Sequence, residues 1–203
     1  MIRFIVFDFG GVFVTNGIKI ARRIFSKKLK MDFEKFWFGE MRAYWNKLKV
    51  GDISEKYFWK KLKEKLKEKG KNFDEKEFKR LFFKYQRKNE KVAKIIEDLR
   101  KKGYKTVILS NNVSNWIKEY EKEYKDLKKY FDVILVSDKI GYAKPDVKVY
   151  KILLKKIKAK PEECIFIDDK EKNLKTAEKI KMHTILFKNS RDLKNQLNKL
   201  LPG

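Results

Sequence analysis

Apolar residues follow two rhythms along this chain. Short unbroken runs occur at Arg3–Phe7, Thr106–Leu109, Val133–Val136, Ile165–Ile167 and Thr184–Phe187. A run without alternation fits a strand covered on both faces, as in a parallel sheet. Elsewhere the apolar positions keep a helical period: Val92, Ile95, Ile96 and Leu99 lead to a stop at Gly103, and Val149, Leu153 and Ile157 precede Pro161. Strands alternating with helices predict an α/β fold built on a parallel sheet.

The stretch from Asn16 to Lys88 breaks this alternation. Phe58, Leu62 and Leu66, then Phe78, Leu81, Phe82 and Tyr85, repeat at helical spacing, and Asp74-Glu75-Lys76-Glu77 resembles a helix-starting capping box. The segment reads as a helical module inserted between the first and second strands. Its tryptophans, Trp37, Trp45 and Trp59, either fill the module's own core, the reading we favour, or line a cavity.

Composition narrows the setting. The 203 residues include 53 Lys and Arg against 28 Asp and Glu, a formal charge of +25 that attracts anions. Such a charge reads either as a nucleic-acid footprint or as lysine-covered helix faces of the kind written in Lys61-Leu62-Lys63-Glu64-Lys65. The excess is mostly lysine, which lacks the planar fork that reads bases, so the second reading is favoured. Cys164 is the sole cysteine, which excludes an intrachain disulfide and a thiolate metal cluster within one chain. The first apolar run meets Asp8 after Phe4–Phe7, too soon for a signal segment or a membrane span. The expectation is a soluble cytoplasmic protein with no membrane partner.

Candidate chemistry lies at the strand ends. In open α/β sheets ligands bind beyond the carboxyl ends of the strands. Asp8, Ser110 and the pair Asp168-Asp169 all follow apolar runs directly and should converge there. Carboxylates gathered in this way repel one another unless a cation sits among them, and an all-oxygen set favours Mg²⁺. Lys144, in Gly141-Tyr142-Ala143-Lys144-Pro145-Asp146, follows the Val133–Val136 run by a loop and adds a second positive charge.

Four ordered segments, Ile5-Val6-Phe7-Asp8-Phe9-Gly10-Gly11-Val12, Ile108-Leu109-Ser110-Asn111-Asn112, Gly141 to Asp146, and Ile165-Phe166-Ile167-Asp168-Asp169-Lys170-Glu171-Lys172-Asn173, resemble the motifs of the haloacid dehalogenase-like (HAD) hydrolases. The resemblance spans nearly the whole chain. It implies a Rossmann-like core, residues 1–15 and 89–203, with a helical cap inserted at 16–88. Gly51-Asp52-Ile53-Ser54 in that cap looks like the branch holding sugar-1-phosphate phosphatases and the amino-terminal phosphatase domain of soluble epoxide hydrolases. The resemblance further implies an Mg²⁺-dependent phosphatase acting on a small phosphorylated metabolite. Asp8 is then the nucleophile, Ser110 and Lys144 its catalytic partners, and Phe9, Ser110, Asn111 and Lys144 the phosphate- and substrate-binding set. Mg²⁺ is held by Asp8, the Gly10 carbonyl, Asp169 and, directly or through water, Asp168. Asn173 fixes the loop around the acidic pair.

One position departs from the pattern. Most phosphatases of this family carry a second aspartate two residues after the nucleophile, where this chain has Gly10. Without that general acid, substrates with good leaving groups are favoured: anomeric, acyl or aryl phosphates over alkyl ones. The same gap raises two alternatives, a dehalogenase, whose halide leaves without a proton, and a non-catalytic or nucleic-acid-binding protein of the same fold. The retained acidic pair argues against the first, and the retained Asp8, Ser110 and Lys144 against the second.

Overall fold

The computed structural model describes residues 1–124 and 127–201. The chain opens with strand β1 (Phe4–Phe7) and passes through five helices: α1 (Gly17–Lys28), α2 (Phe33–Phe38), α3 (Arg42–Lys49), α4 (Glu55–Lys67) and α5 (Glu75–Lys84). Helix α6 (Glu90–Lys101) leads to β2 (Lys105–Ser110), and α7 (Ser114–Tyr124) and α8 (Leu127–Tyr130) to β3 (Val133–Val136). Helices α9 (Ser137–Ile140) and α10 (Val147–Ile157) precede β4 (Cys164–Asp168). The chain then runs through α11 (Glu171–Lys179), β5 (His183–Leu186) and α12 (Ser190–Leu200).

The five strands found among the described residues pair in parallel in the order β3-β2-β1-β4-β5. The first strand is central, and the chain returns across it to start β4 on its other side. That reversal lies between β1 and β4, where Phe7 pairs with Ile167 and the Asp8 N–H donates to the Ile167 carbonyl at 2.8 Å. Asp8 and Asp168 therefore leave the sheet side by side, at the place where open α/β sheets bind ligands.

Both sheet faces are covered, which explains the unbroken apolar runs. Ile5, Phe7, Ile108 and Ile167 pack with Val92 and Ile96 of α6 and Leu193 and Leu197 of α12. On the opposite face Val6, Val107 and Phe166 pack with Val149 and Leu153 of α10 and Leu174 of α11. Full burial of each such side chain is worth about 1.5–3 kcal/mol, and the strand alternation divides them between the two faces.

Helices α1–α5 bury a third cluster of their own, with Phe25, Phe33, Trp37, Phe58, Trp59 and Phe78 at its centre. Their starts are written in the sequence: Asn16, Asp32, Ser54 and Asp74 each accept a hydrogen bond from a backbone N–H of the following first turn. Val113 and Trp116, from the start of α7, belong to this cluster and anchor the helical layer on the sheet. At Gly51 the two parts meet backbone to backbone. Its φ is +80°, and a Cβ there would stand 2.3 Å from the Asp138 carbonyl, so a side chain would force the layers apart.

The chain leaves for this layer and returns from it at one place. The Thr15 N–H donates to the Arg87 carbonyl at 2.8 Å, and the Thr15 hydroxyl accepts from the Arg87 N–H at 2.8 Å and donates to the Tyr85 carbonyl. Val14 and Lys88 form an antiparallel bridge beside them. No helix among the described residues is long and apolar enough to cross a membrane.

Candidate active site

Lys144 organises the strand ends. Its ammonium donates to Asp8 Oδ1 at 2.9 Å, to Asp168 Oδ2 at 2.7 Å and to the Leu109 carbonyl at 2.7 Å, so all three of its protons are used. Its side chain is 1% exposed and that of Asp168 0%. The Asn111 side chain clamps the loop that delivers it, donating to the Lys144 carbonyl at 2.7 Å and accepting from the Lys144 N–H at 2.8 Å.

The two buried carboxylates are held differently. Burial raises Asp8 above the usual carboxylate range, aided by the Asp168 charge and opposed by Lys144 and Lys170. Burial would also raise Asp168, but the charge and hydrogen bond of Lys144, with an Asn173 amide at 2.9 Å, hold it below that range. Asp168 Oδ1 accepts from the Lys170 N–H at 2.9 Å. This carboxylate is thus held by protein donors on both oxygens, and Oδ1, with a single donor, keeps acceptor capacity toward the group it shares with Asp8 and Asp169.

Asp8, Asp168 and Asp169 offer oxygens that lie within 4.8 Å of one another. Asp169 rests against Gly11, whose φ is +102° and whose added Cβ would stand 2.7 Å from Asp169 Oδ2; only glycine fits. The Gly10 carbonyl accepts no hydrogen bond among the described residues. Lys170 reaches over this group, its ammonium 3.1 Å from Asp169 Oδ1 and 4.0 Å from Asp8 Oδ2. Among these five groups in direct contact, three carboxylates face two ammonium groups, and the free donors are all oxygen. This set fits a hard divalent cation.

Above these groups opens a cavity of about 240 Å³, below the usual range for drug-sized ligands and suited to a small one. Asp8 and Ser110 line its floor side, and Phe38, Trp45, Lys49 and Gln86 come to it from the helical layer. The Ser110 hydroxyl makes no hydrogen bond among the described residues. Gln86 is 3% exposed, yet its Oε1 has no hydrogen-bond partner there. Of the three tryptophans named from sequence, Trp37 and Trp59 are buried in the helical core and Trp45 reaches the cavity.

The structure brings Asp8, Ser110, Asn111, Lys144, Asp168 and Asp169 together at this point. Two of the expected residues take part in a particular way. The Phe9 side chain is fully buried against Phe13 and Tyr120 in the core, because it follows Asp8 onto the opposite side of the chain; its backbone N–H alone is turned to the site, donating to Asp8 Oδ1 at 2.8 Å. Asn111 lines the cavity, and its side-chain oxygen and one of its two amide protons are tied to the Lys144 backbone, so it positions that loop. Sequence reasoning passed over Lys170, which its place directly after the acidic pair would have signalled, and Lys49 and Gln86, for which no local signal exists. His183 is exposed at the start of β5, far from the strand ends, and Cys164 is buried with its thiol pushed up to about 12 by burial.

A parallel sheet with its acids and lysine gathered at the reversal of strand order defines a hydrolase class that comparison confirms. A family model for haloacid dehalogenase-like hydrolases matches residues 2–181, and the chain belongs to that family. Among curated relatives, bifunctional epoxide hydrolase 2 of Mus musculus is 36% identical over 108 residues, which cover 50% of this chain and 19% of that one. The match therefore takes up less than a fifth of that relative's length. D-ribitol-5-phosphate phosphatase of Bacteroides thetaiotaomicron is 27% identical over 211 residues and 99% of both chains. Among solved structures, the magnesium complex of a HAD family enzyme from Bacteroides thetaiotaomicron superposes with a TM-score of 0.80 at 22% identity, over 97% of this chain and 98% of that one, and so shares the fold.

Proposed function

We propose that this protein is an Mg²⁺-dependent phosphatase that hydrolyses a small phosphorylated metabolite through an aspartyl-phosphate. The observation that carries the reading is the Lys144 ammonium shared between Asp8 and Asp168 at the foot of the cavity. Asp8 attacks phosphorus while the ester P–O bond breaks. Water then attacks the acyl-phosphate, releasing phosphate and restoring the carboxylate. Lys144 and the Phe9 N–H fix the Asp8 carboxylate through Oδ1, so its orientation does not have to be bought from substrate binding. Asp168 holds Lys144, Asn111 holds the Lys144 loop, and the Ser110 hydroxyl, unpartnered among the described residues, faces the position of a phosphoryl oxygen.

Asp8, Asp169 and the Gly10 carbonyl are the donors that would hold Mg²⁺, with Asp168 joining directly or through water. When bound, the ion supplies positive charge against the phosphoryl oxygens. The acidic group, the phosphatase relative of matching length and the magnesium complex of the fold relative all support this reading over dehalogenation. The leaving group takes its proton from water, since Gly10 carries no acid. Helices α1–α5 act as the cap, with the Thr15–Arg87 crossing as its hinge.

The test is phosphate release from p-nitrophenyl phosphate and an anomeric sugar phosphate, with and without Mg²⁺, for the intact protein and Asp8→Asn. Dependence on both the metal and Asp8 is expected. Metal-independent chloride release from a 2-haloacid, or no hydrolysis of either phosphate, overturns the reading.

A further inference from the structure

The cavity holds more positive charge than a phosphoryl group needs. Lys144 is paired with Asp8 and Asp168, Lys170 with Asp169, and Arg22 with Glu34 at 3.1 Å. Lys49 and Lys172 also line the cavity, yet no carboxylate pairs with either among the described residues. They come from different parts of the molecule, Lys49 from the last turn of α3 in the helical layer and Lys172 from the first turn of α11 after β4.

This differs from the lysines on the outer helix faces. There Lys61 pairs with Glu64 at 2.8 Å and Lys79 with Glu75 at 2.9 Å, three and four residues apart. Lys49 instead is half-buried, and its ammonium is pushed down to about 8 by burial and by the charges of Lys172, Lys170 and Arg42. A crowded, partly desolvated cation is unfavourable in the empty site and is relieved when an anion enters. Gln86, which lines the same cavity, adds an independent mark of a polar ligand, a buried amide oxygen with no hydrogen-bond partner among the described residues.

We propose that the cavity takes a phosphorylated hydroxy acid, whose second anionic group, a carboxylate, is gripped between Lys49 and Lys172 and whose hydroxyl donates to Gln86 Oε1. The small volume favours a carboxylate over a second phosphate. The proposal rests on the phosphatase reading and sharpens its substrate class. The Lys49–Lys172 pair spans the helical layer and the core, so the second anion also draws the two together.

The test compares two esters that differ in one group. Binding of 3-phosphoglycerate and of glycerol 3-phosphate is measured calorimetrically on Asp8→Asn protein with Mg²⁺ present, where no turnover intervenes. The carboxylate ester is expected to bind about tenfold tighter, a difference of about 1.4 kcal/mol. Adding Lys49→Met or Lys172→Met should bring the ratio below about threefold, whereas Lys102→Met, on the exposed end of α6, should leave it unchanged. Equal affinities, or a ratio that Lys102→Met lowers as much as Lys49→Met, overturn the proposal and leave the phosphatase reading standing. Failure of the protein to bind either ester or inorganic phosphate overturns both.

Discussion

Lys144 and Asp168 are buried against each other at 2.7 Å, the lysine side chain 1% and the aspartate 0% exposed. Neither group is tolerable in that place alone. A buried ion pair adds little net stability, but removing one member leaves an uncompensated charge and costs about 3–5 kcal/mol. The pair is therefore a commitment of the fold to the geometry of Asp8.

Lys144→Met tests this. In wild type, Asp168 has a lowered folded pKa, so its contribution to stability is present above the ordinary carboxylate range and lost as pH falls through the lowered value. Asp8, with a raised folded pKa, works in the opposite sense and costs stability above that value. Without the lysine both carboxylates are raised and both cost stability as pH rises. The Tm difference between wild type and Lys144→Met, measured in chelator, should grow from pH 5 to pH 8; an equal difference at both would contradict the assignment.

Gly10→Asp should restore what the sequence lacks. A Cβ at Gly10 meets nothing within 4 Å, so the site has room for the side chain. The ratio of kcat/KM on alkyl to aryl phosphates should rise about a hundredfold or more, within the 10²–10⁴ typical of a general acid. An unchanged ratio would show that leaving-group protonation does not limit this enzyme.

Lys170 and a divalent cation held as proposed would compete for the same carboxylates. The ammonium lies 3.1 Å from Asp169, but its side chain is 46% exposed, and such pairs are worth about 0.2–1 kcal/mol. Lys170→Met should tighten Mg²⁺ binding by about two- to fivefold in calorimetry. Weaker binding would mean that the lysine helps to build the metal site.

Gln86→Leu should separate folding from binding. Removing a buried unsatisfied oxygen is neutral or stabilising, by about 1 kcal/mol at most, so Tm should hold or rise. The kcat/KM for a hydroxylated phosphate ester should fall about five- to thirtyfold, the effect of losing one buried hydrogen bond to substrate. A fall in Tm would place the amide in the structure of the helical layer instead.

The sheet was legible because its strands are buried on both faces: the apolar runs of β1, β2 and β4 end where the chain emerges, and the polar residues found there, Asp8, Ser110 and Asp168, lie at the site. Val133–Val136 matches β3 to the residue, and β2 and β4 extend far enough to include Ser110 and Asp168. The walls of the cavity were not legible. Lys49 sits on an amphipathic helix amid Asn46, Lys47 and Leu48, and nothing local distinguishes a lysine turned to a cavity from one turned to water. Phe9 shows the converse limit, since a residue inside a recognisable motif can serve the core while its neighbour serves the site.

The closed loop at Thr15 and Arg87 has an evolutionary consequence. Because the chain departs and returns through one hydrogen-bonded crossing, the segment beyond it can lengthen, shorten or be exchanged without disturbing the pairing of β1 with β2. Asp8 keeps its lysine whatever helices lie overhead. Selection can therefore work on α1–α5 while the residues gathered at the strand ends are inherited intact.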